Sequence, residues 1–271
     1  MESSTAAVSA AVSQTAEAAE PLAGRVALVT GAAGAGIGHA VARRFGRAGA
    51  EIVLTDAHPS RTDQMATELG QELGREVIGV AVDVRDQEQV DAAVASAIDR
   101  HGKIDVLFNN AGINKLKPLC ETDDETWDLV VDVCLKGTFR CMRAVLPGML
   151  ERGSGTIVNM ASIAGYIGSD LGEAPYCAAK AGVMGLTRAA AAECGPRGIR
   201  VNAIAPGVIM NPFLARIYPE GSLERMGEDT AVKRLGAPED VANLALFLAS
   251  DQSSYITGEV HTISGGLHMH G

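Results

Sequence analysis

Residues 30–40 read TGAAGAGIGHA, and they stand between an apolar run and a helical pattern. The run RVALVT at 25–30 has the composition of a buried strand, whereas IGHAVARRFGRAGA at 37–50 places apolar residues four positions apart. A glycine-rich turn between a strand and a helix leaves free backbone N–H groups at the helix N-terminus, which attract anions. We expect three glycines of this turn to let a pyrophosphate approach the backbone: Gly31, Gly36 and Gly38.

An acidic residue after the second apolar run extends this interpretation. Asp56 ends EIVLTD at 51–56 and follows Gly36 by 20 positions. A carboxylate there accepts hydrogen bonds from the adenosine ribose hydroxyls and repels a 2′-phosphate. The alternative is a glycine-rich turn that binds nothing, but strand, loop, helix and Asp56 in this order favour a dinucleotide. We expect NAD in preference to NADP, a preference that Arg61 softens.

Short β-branched runs alternate with longer helical patterns along the rest of the chain. Seven runs predict strands: 25–30, 51–56, 77–83, 104–110, 155–162, 199–206 and 258–266. Seven stretches predict helices: 37–50, 60–74, 87–101, 125–152, 174–194, 213–226 and 238–250. Connections of this length predict parallel strands, and continuous apolar strands predict a sheet covered on both faces. We expect the α/β class, with a disordered Ala/Ser-rich tail at 1–21 and one doubly wound, Rossmann-type domain at 22–271 that contains a seven-stranded parallel sheet.

Composition and charge narrow the possible functions. Hydrophobic residues make up 47% of the 271 residues, enough for a large core, and the net charge of −10 argues against nucleic-acid binding. The five cysteines are odd in number and form no CxxC pair, so we expect neither a disulfide framework nor a metal site. The first 20 residues carry no Lys or Arg, and no stretch offers about 18 unbroken apolar residues. We expect a cytoplasmic protein that does not enter the membrane.

A tyrosine and a lysine supply candidate groups for proton transfer. APYCAAKAGV at 174–183 places Tyr176 and Lys180 on one face of a helix. A free phenol has a pKa of about 10, and a nearby ammonium lowers it, so Tyr176 is a candidate general acid or base. Alone, this pair is more typical of an exposed helix face. Ser162 strengthens the interpretation because it lies at the carboxyl end of a predicted strand, where parallel sheets bind ligands.

These motifs together resemble those of the classical short-chain dehydrogenase/reductase family. The resemblance covers nearly everything from Leu22 to Gly266. Its motifs appear in order: Thr30-Gly31…Gly36-Ile37-Gly38, Asp83-Val84, Asn109-Asn110-Ala111-Gly112, Ser162, Tyr176-xxx-Lys180 and Asn202…Pro206-Gly207. It implies an NAD(P)-dependent oxidoreductase that interconverts a secondary alcohol and a ketone by hydride transfer. In this scheme Ser162 orients the substrate oxygen, Tyr176 moves its proton, and Lys180 assists Tyr176 and holds the cofactor ribose.

The resemblance also implies the remaining cofactor contacts and the assembly. Asp83 and Val84 are expected at the adenine, and Ile209 offers backbone groups to the nicotinamide amide. The full set of expected cofactor residues is Gly31, Gly36, Ile37, Gly38, Asp56, Asp83, Val84, Asn110, Ala111, Gly112, Tyr176, Lys180, Pro206, Gly207 and Ile209. Relatives suggest a homotetramer with the helices at 125–152 and 174–194 in its interfaces.

Two departures from the family pattern stand out. The glycine loop has four residues between Gly31 and Gly36 where three are usual, and we expect the extra small residue to bulge outward. Cys134 stands where the family often has an asparagine that kinks the long helix and holds a water of a proton relay. A thiol hydrogen-bonds poorly, so we expect reduced but real activity.

The substrate is read from a predicted lid at 208–236. Its apolar residues are either pocket lining or packing, and both readings stay open: Met210, Phe213, Leu214, Ile217 and Tyr218. We expect a hydrophobic alcohol or ketone, such as a 3-oxoacyl or 3-hydroxyacyl thioester or an alicyclic or steroid-like alcohol. Lys115 and Lys117 either attract thioester phosphates or are plain surface residues. The alternative is a catalytically weak NAD-binding relative with a sensing or scaffolding role, for which Cys134 is the only support. An extended-branch epimerase is disfavoured because little chain follows the lid.

Overall fold

A computed structural model describes residues 20–168, 170–211, 214–218 and 221–269. Residues 1–19 of the expected tail, and Phe213 of the expected lid lining, lie outside the described residues. The folded part begins before the first strand, because Leu22 is fully buried and its N–H donates to Ala48 O at 2.8 Å.

Seven parallel strands form one sheet, as the sequence predicts. They are β1 (Val26–Thr30), β2 (Glu51–Asp56), β3 (Val77–Ala81), β4 (Val106–Asn109), β5 (Gly155–Met160), β6 (Ile199–Pro206) and β7 (Val260–Ile263). Their order is β3-β2-β1-β4-β5-β6-β7. The direction of strand succession reverses between β1 and β4, and at such a switch point the strand ends open a crevice for ligands.

Helices cover both faces of the sheet. They are α1 (Ile37–Arg47), α2 (Pro59–Leu73), α3 (Gln87–His101), α4 (Asp124–Val131), α5 (Gly137–Arg152), α6 (Ala174–Cys194), α7 (Leu214–Ile217), α8 (Ser222–Asp229) and α9 (Pro238–Ala249). One buried cluster joins the sheet to α1, α2 and α9 through residues such as Phe45, Leu69 and Leu248. A second cluster, with Val94 and Val145, joins the other face to α3, α5 and α6. The expected two-sided core is therefore present.

The structure differs from the predicted elements at several ends. The strands predicted at 77–83, 104–110 and 258–266 are shorter, because their last residues turn out of the sheet into loops. The helix predicted at 125–152 is interrupted by a π-helical turn, Asp132–Lys136. The helix predicted at 213–226 is instead α7 and α8, separated at Gly221, whose φ of 74° is left-handed.

Two features of the described residues concern membranes and metals. None of the helices described is both long and apolar enough to cross a membrane. Within the same ranges, no three His, Cys, Asp or Glu side chains come together as a group able to hold a metal ion. The five cysteines are free thiols, and three of them are buried.

Candidate active site

The glycine turn lies between β1 and α1, and the protein's own packing requires two of its glycines. Gly31 has a left-handed φ of 62°, and a Cβ there would lie 2.8 Å from Ala111 Cα. A Cβ on Gly38 would lie 2.6 Å from both Asn110 Nδ2 and Gly31 O. Contacts this short do not occur in folded proteins, so both positions need glycine even without a ligand.

Gly36 differs, because open space lies in front of it. Among the described residues, a Cβ there would meet only Asn211 Cβ, at 4.0 Å. Gly36 is the N-cap of the 11-residue helix α1, which has no side-chain cap and no acidic residue in its first turn. An uncapped helix N-terminus behind an open glycine suits an anion, so the turn fits a dinucleotide pyrophosphate. Gly34 and Ala35 are exposed, in line with the expected outward bulge.

The Asn-Gly-rich end of β4 is tied directly to the end of β1. Thr30 is buried, and its Oγ1 accepts the N–H groups of Asn110 at 2.9 Å and Ala111 at 3.0 Å. The Asn110 side chain donates back to Thr30 O at 3.1 Å and Gly31 O at 2.9 Å. This segment therefore fixes the sheet edge beside the glycine turn. Gly112 continues it toward Lys180, whose Nζ would lie 3.6 Å from a Cβ on Gly112.

Asp56 lies at the carboxyl end of β2 and faces the glycine turn. Its Oδ2 accepts the Ala33 N–H at 3.2 Å, and its Oδ1 accepts the His58 N–H at the same distance. Arg61 forms an ion pair with it at 3.5 Å. The carboxylate is thus held beside the glycine turn, with a cation next to it.

The other expected cofactor residues are held mainly by packing. Asp83 accepts hydrogen bonds from Arg85, which lower the pKa of its carboxyl, and Val84 is buried below Gly137. The Gly207 N–H donates to Ile263 O at 3.0 Å, and a Cβ there would lie 2.9 Å from Ser264 Cα. Ile209 is buried and pairs with the lid residue Gly236. Pro206 is the last residue of β6, and Ile37 is the first of α1.

Ser162, Tyr176 and Lys180 come together beside this edge. Ser162 follows β5, and its Oγ accepts the Ala164 N–H at 3.2 Å, which fixes the hydroxyl at the start of a short 3₁₀ turn. Tyr176 and Lys180 stand one turn apart on α6, and Lys180 Nζ lies 5.4 Å from the centre of the Tyr176 ring. Only 3% of Lys180 is exposed, and its Nζ donates to Met160 O at 2.7 Å.

The electrostatics correct one expectation. Burial raises the pKa of Tyr176, and a smaller interaction with Ser162 acts to lower it. Burial also lowers the pKa of Lys180. The expected lowering of the Tyr176 pKa is therefore wrong for the protein's own groups, because desolvation of the phenolate raises this pKa instead. Tyr176 is held as a neutral phenol at neutral pH.

Cys134 lies in the turn that interrupts the long helix. It is fully buried in the π-helical turn, where its Sγ accepts the Ile113 N–H at 3.4 Å and donates to Ile113 O at 3.2 Å. A π-turn inserts one residue into a helix and is frequent at functional sites. The thiol thus satisfies the backbone of the loop after β4, close to Gly112 and Lys180.

A cleft of about 510 Å³ adjoins these residues, and sequence reasoning missed its main polar group. Glu173, the N-cap of α6, lines this cleft and is only 7% exposed. Its Oε1 accepts hydrogen bonds from Asn114 and from Tyr218 OH, the latter at 3.0 Å. The only signal in the sequence was an acidic residue three positions before Tyr176.

The residues expected in the lid and the two expected lysines differ in their exposure and contacts. Met210 is 45% exposed, whereas Tyr218 reaches inward to Glu173. The side chain of Ile217 lies outside the described residues. Lys117 forms an ion pair with Asp123 at 2.6 Å, and Lys115 is exposed.

Comparisons with known proteins agree over nearly the whole chain. Residues 31–268 match the family described as Enoyl-(Acyl carrier protein) reductase. Oxidoreductase UcpA of Salmonella typhimurium is 42% identical over 252 residues, covering 90% of this chain and 95% of that protein. The 3-oxoacyl-[acyl-carrier-protein] reductase FabG of Thermotoga maritima is 41% identical over 246 residues, covering 91% and 98%.

A solved structure shares the fold as well as the sequence. The crystal structure of gox2181 is 35% identical, with a TM-score of 0.87, and the match covers 92% of this chain and 98% of that one. Matches of this identity and coverage, together with the parallel sheet and the ordered motifs, leave one assignment. The chain is an oxidoreductase of the short-chain dehydrogenase/reductase family.

Proposed function

We propose that the protein interconverts a secondary alcohol and a ketone with a nicotinamide dinucleotide, using Ser162, Tyr176 and Lys180. One observation carries the proposal: a partly buried phenol stands next to Ser162, with Lys180 Nζ 5.4 Å from its ring, at the carboxyl edge of the sheet. Three polar side chains grouped at this edge of the sheet are typical of a ligand-binding or catalytic site. When bound, the dinucleotide supplies or accepts the hydride.

Each of the three residues has a distinct part in this scheme. Ser162 holds the substrate oxygen, and its own orientation is fixed by the Ala164 N–H. The neutral phenol of Tyr176 donates a proton to that oxygen during ketone reduction and, as phenolate, takes one from an alcohol during oxidation. Lys180 is positioned by Met160 O, and its remaining N–H groups are directed to Tyr176 and the cofactor ribose.

The cofactor we propose is NAD. Asp56 is the supporting residue, because its carboxylate accepts ribose hydroxyls and repels a 2′-phosphate. The glycine turn itself contains no Lys or Arg, although Arg61 forms an ion pair with Asp56 at 3.5 Å. Catalytic efficiency with NAD should exceed that with NADP, and the reverse order would refute the assignment.

The substrate we propose has a hydrophobic carbon frame. The cleft beside the catalytic residues is lined largely by apolar residues and glycines, among them Pro118, Leu119 and Leu171. The FabG relative is named for a 3-oxoacyl thioester, which supports that class as one candidate. An alicyclic or steroid-like alcohol is the other candidate.

We also propose a homotetramer. Trp127 on α4 and Phe139 on α5 are 39% and 41% exposed, so the helices expected in the interface carry large apolar groups on their surface. Sedimentation analysis should give four times the monomer mass. A monomer at micromolar concentration would refute this part without touching the chemistry.

The test of the function is Tyr176→Phe. The variant should lose at least about a hundredfold in turnover, because general acid–base catalysis contributes about 10²–10⁴. Binding of NADH, measured by fluorescence titration, should change less than about threefold. Parent protein that binds NADH but turns over no alcohol or ketone would favour the alternative, a sensing or scaffolding relative.

A further inference from the structure

The cleft next to the catalytic residues contains a buried carboxylate without a cationic partner. Glu173 is only 7% exposed, and it takes part in none of the ion pairs formed among the described residues. Its hydrogen-bond donors there, Asn114 and Tyr218, are both neutral. Burying a carboxylate costs several kcal/mol unless a nearby charge or hydrogen bonds compensate for its lost hydration. A buried carboxylate without a cation therefore indicates a binding or catalytic role.

The neighbouring amide points to the same conclusion. Asn114 donates its Nδ2 hydrogen to Glu173, which leaves Oδ1 as an acceptor. This oxygen is fully buried and has no hydrogen-bond partner among the described residues. Glu173 and Asn114 thus contribute two acceptors, and among the described residues Tyr218 is the one further donor to them; of the two, only Glu173 lines the cleft.

Tyr218 links this pair of acceptors to the lid. Burial, and next the Glu173 carboxylate, raises the pKa of Tyr218, so its hydroxyl keeps its proton and donates. Tyr218 follows α7, whereas Glu173 caps the helix that bears Tyr176. The acceptors are thus held between the lid and the catalytic helix.

The cleft is located where a part of the substrate away from the reacting carbon would bind. Glu173, Ala174 and Cys177 line it, and the Cys177 N–H donates to Glu173 O one helical turn along. Ser162, Tyr176 and Lys180 do not line it. A substrate with its reacting carbon at Tyr176 would therefore place another part of its frame in the cleft.

We propose that Glu173, which Asn114 holds in place, binds a hydrogen-bond donor on the substrate, an O–H or N–H group several bonds from the carbon that reacts. This proposal rests on the proposed function and refines its substrate class. It excludes substrates that place a carboxylate in the cleft, because the buried Glu173 would repel it. Loss of a charged acceptor that a substrate group needs typically costs tenfold or more in specificity.

The experiment uses four ring alcohols of one shape: cyclohexanol and its 4-hydroxy, 4-amino and 4-carboxy derivatives. Turnover is measured for the parent and for Glu173→Gln, which retains the shape and an acceptor oxygen. Asp170→Asn is the matched control, since it removes an equal charge from the same cleft at an exposed position. The parent should prefer the hydroxy or amino compound to cyclohexanol by at least about tenfold in kcat/KM and should react slowest with the carboxylate.

In Glu173→Gln the preference for a donor should fall at least about fivefold, and the penalty on the carboxylate should shrink. Asp170→Asn should leave the ratios within about twofold. A larger loss for the amino compound identifies an ammonium as the preferred donor, a larger loss for the hydroxy compound identifies a hydroxyl, and equal losses identify a site that accepts either donor. Unchanged ratios in Glu173→Gln, equal changes in both variants, or no donor preference in the parent would overturn the proposal.

Calorimetry separates this proposal from the proposed function. Each alcohol is titrated into the parent and Glu173→Gln with NADH present, a pairing in which no reaction occurs. A Glu173-dependent donor preference in binding without any turnover would refute the proposed function alone. Turnover whose substrate preference ignores Glu173 would refute the donor site alone. Tm measurement of Glu173→Gln should stay within a few degrees of the parent, because both hydrogen bonds retain an acceptor.

Discussion

The glycine turn makes a prediction in which two neighbouring glycines fail for different reasons. In Gly38→Ala the new methyl would lie 2.6 Å from Asn110 Nδ2 and from Gly31 O. One of these is a backbone oxygen that already accepts the Asn110 amide, so the loop itself must move. Overpacking of this kind costs about 1–3 kcal/mol, of which alanine's helix preference returns up to about 1 kcal/mol.

The expected results follow from those contacts. A net loss of about 1–2 kcal/mol in Gly38→Ala lowers Tm by roughly 2–8 °C. Gly36→Ala meets nothing closer than 4.0 Å, and its φ of −138° is open to alanine. Its loss of stability should stay near 0.5 kcal/mol, about 1–2 °C. Its affinity for NADH should nevertheless fall at least tenfold, about 1.4 kcal/mol, because the methyl occupies the space proposed for the pyrophosphate.

The assays are differential scanning fluorimetry for Tm and fluorescence titration for NADH. Gly34→Ala is the matched control, since a Cβ at Gly34 also meets nothing within 4 Å but lies on the exposed bulge. It should leave Tm and affinity close to those of the parent. NADH affinity in Gly36→Ala equal to that of the parent, or an unchanged Tm in Gly38→Ala, would refute the reasoning.

Three further predictions concern other parts of the site. Thr30→Val should lower the free energy of unfolding by about 2–4 kcal/mol in chemical denaturation, because two partly buried N–H groups lose their acceptor, whereas Thr30→Ser should lose under half as much; equal losses would contradict this account. Cys134→Asn should raise turnover above that of the parent, and Cys134→Ala should lower Tm by leaving the Ile113 N–H and C=O unpaired; loss of activity in Cys134→Asn would count against a relay at this position. Alcohol oxidation should accelerate as pH rises into the alkaline range, since burial raises the pKa of Tyr176 and oxidation needs its phenolate, and a flat pH–rate profile would exclude Tyr176 as the base.

The parallel sheet and the edge that bears the candidate residues were within reach of sequence reasoning because their determinants are local. Short windows of the sequence are enough to recognise the β1–α1 turn, Ser162 and the Tyr176–Lys180 pair. Parallel strands then bring these windows to one edge, so correct spacing predicts correct placement.

The features that were missed depend on contacts between distant segments. Glu173 meets Asn114 across 59 positions and Tyr218 across 45, and no local pattern encodes either contact. Cys134 in the π-helical turn meets Ile113 across 21 positions. The expected acidity of Tyr176 was wrong because spacing reports a neighbour's charge but not the burial that opposes it.

The glycines of the turn are needed for different reasons, and this affects how related sequences are interpreted. Folding itself requires Gly31 and Gly38, so a related protein that no longer binds the coenzyme would still conserve them. Only Gly36 would be released to drift toward larger residues. Surveys for inactive members of the lineage should therefore weigh that single position above the rest of the motif.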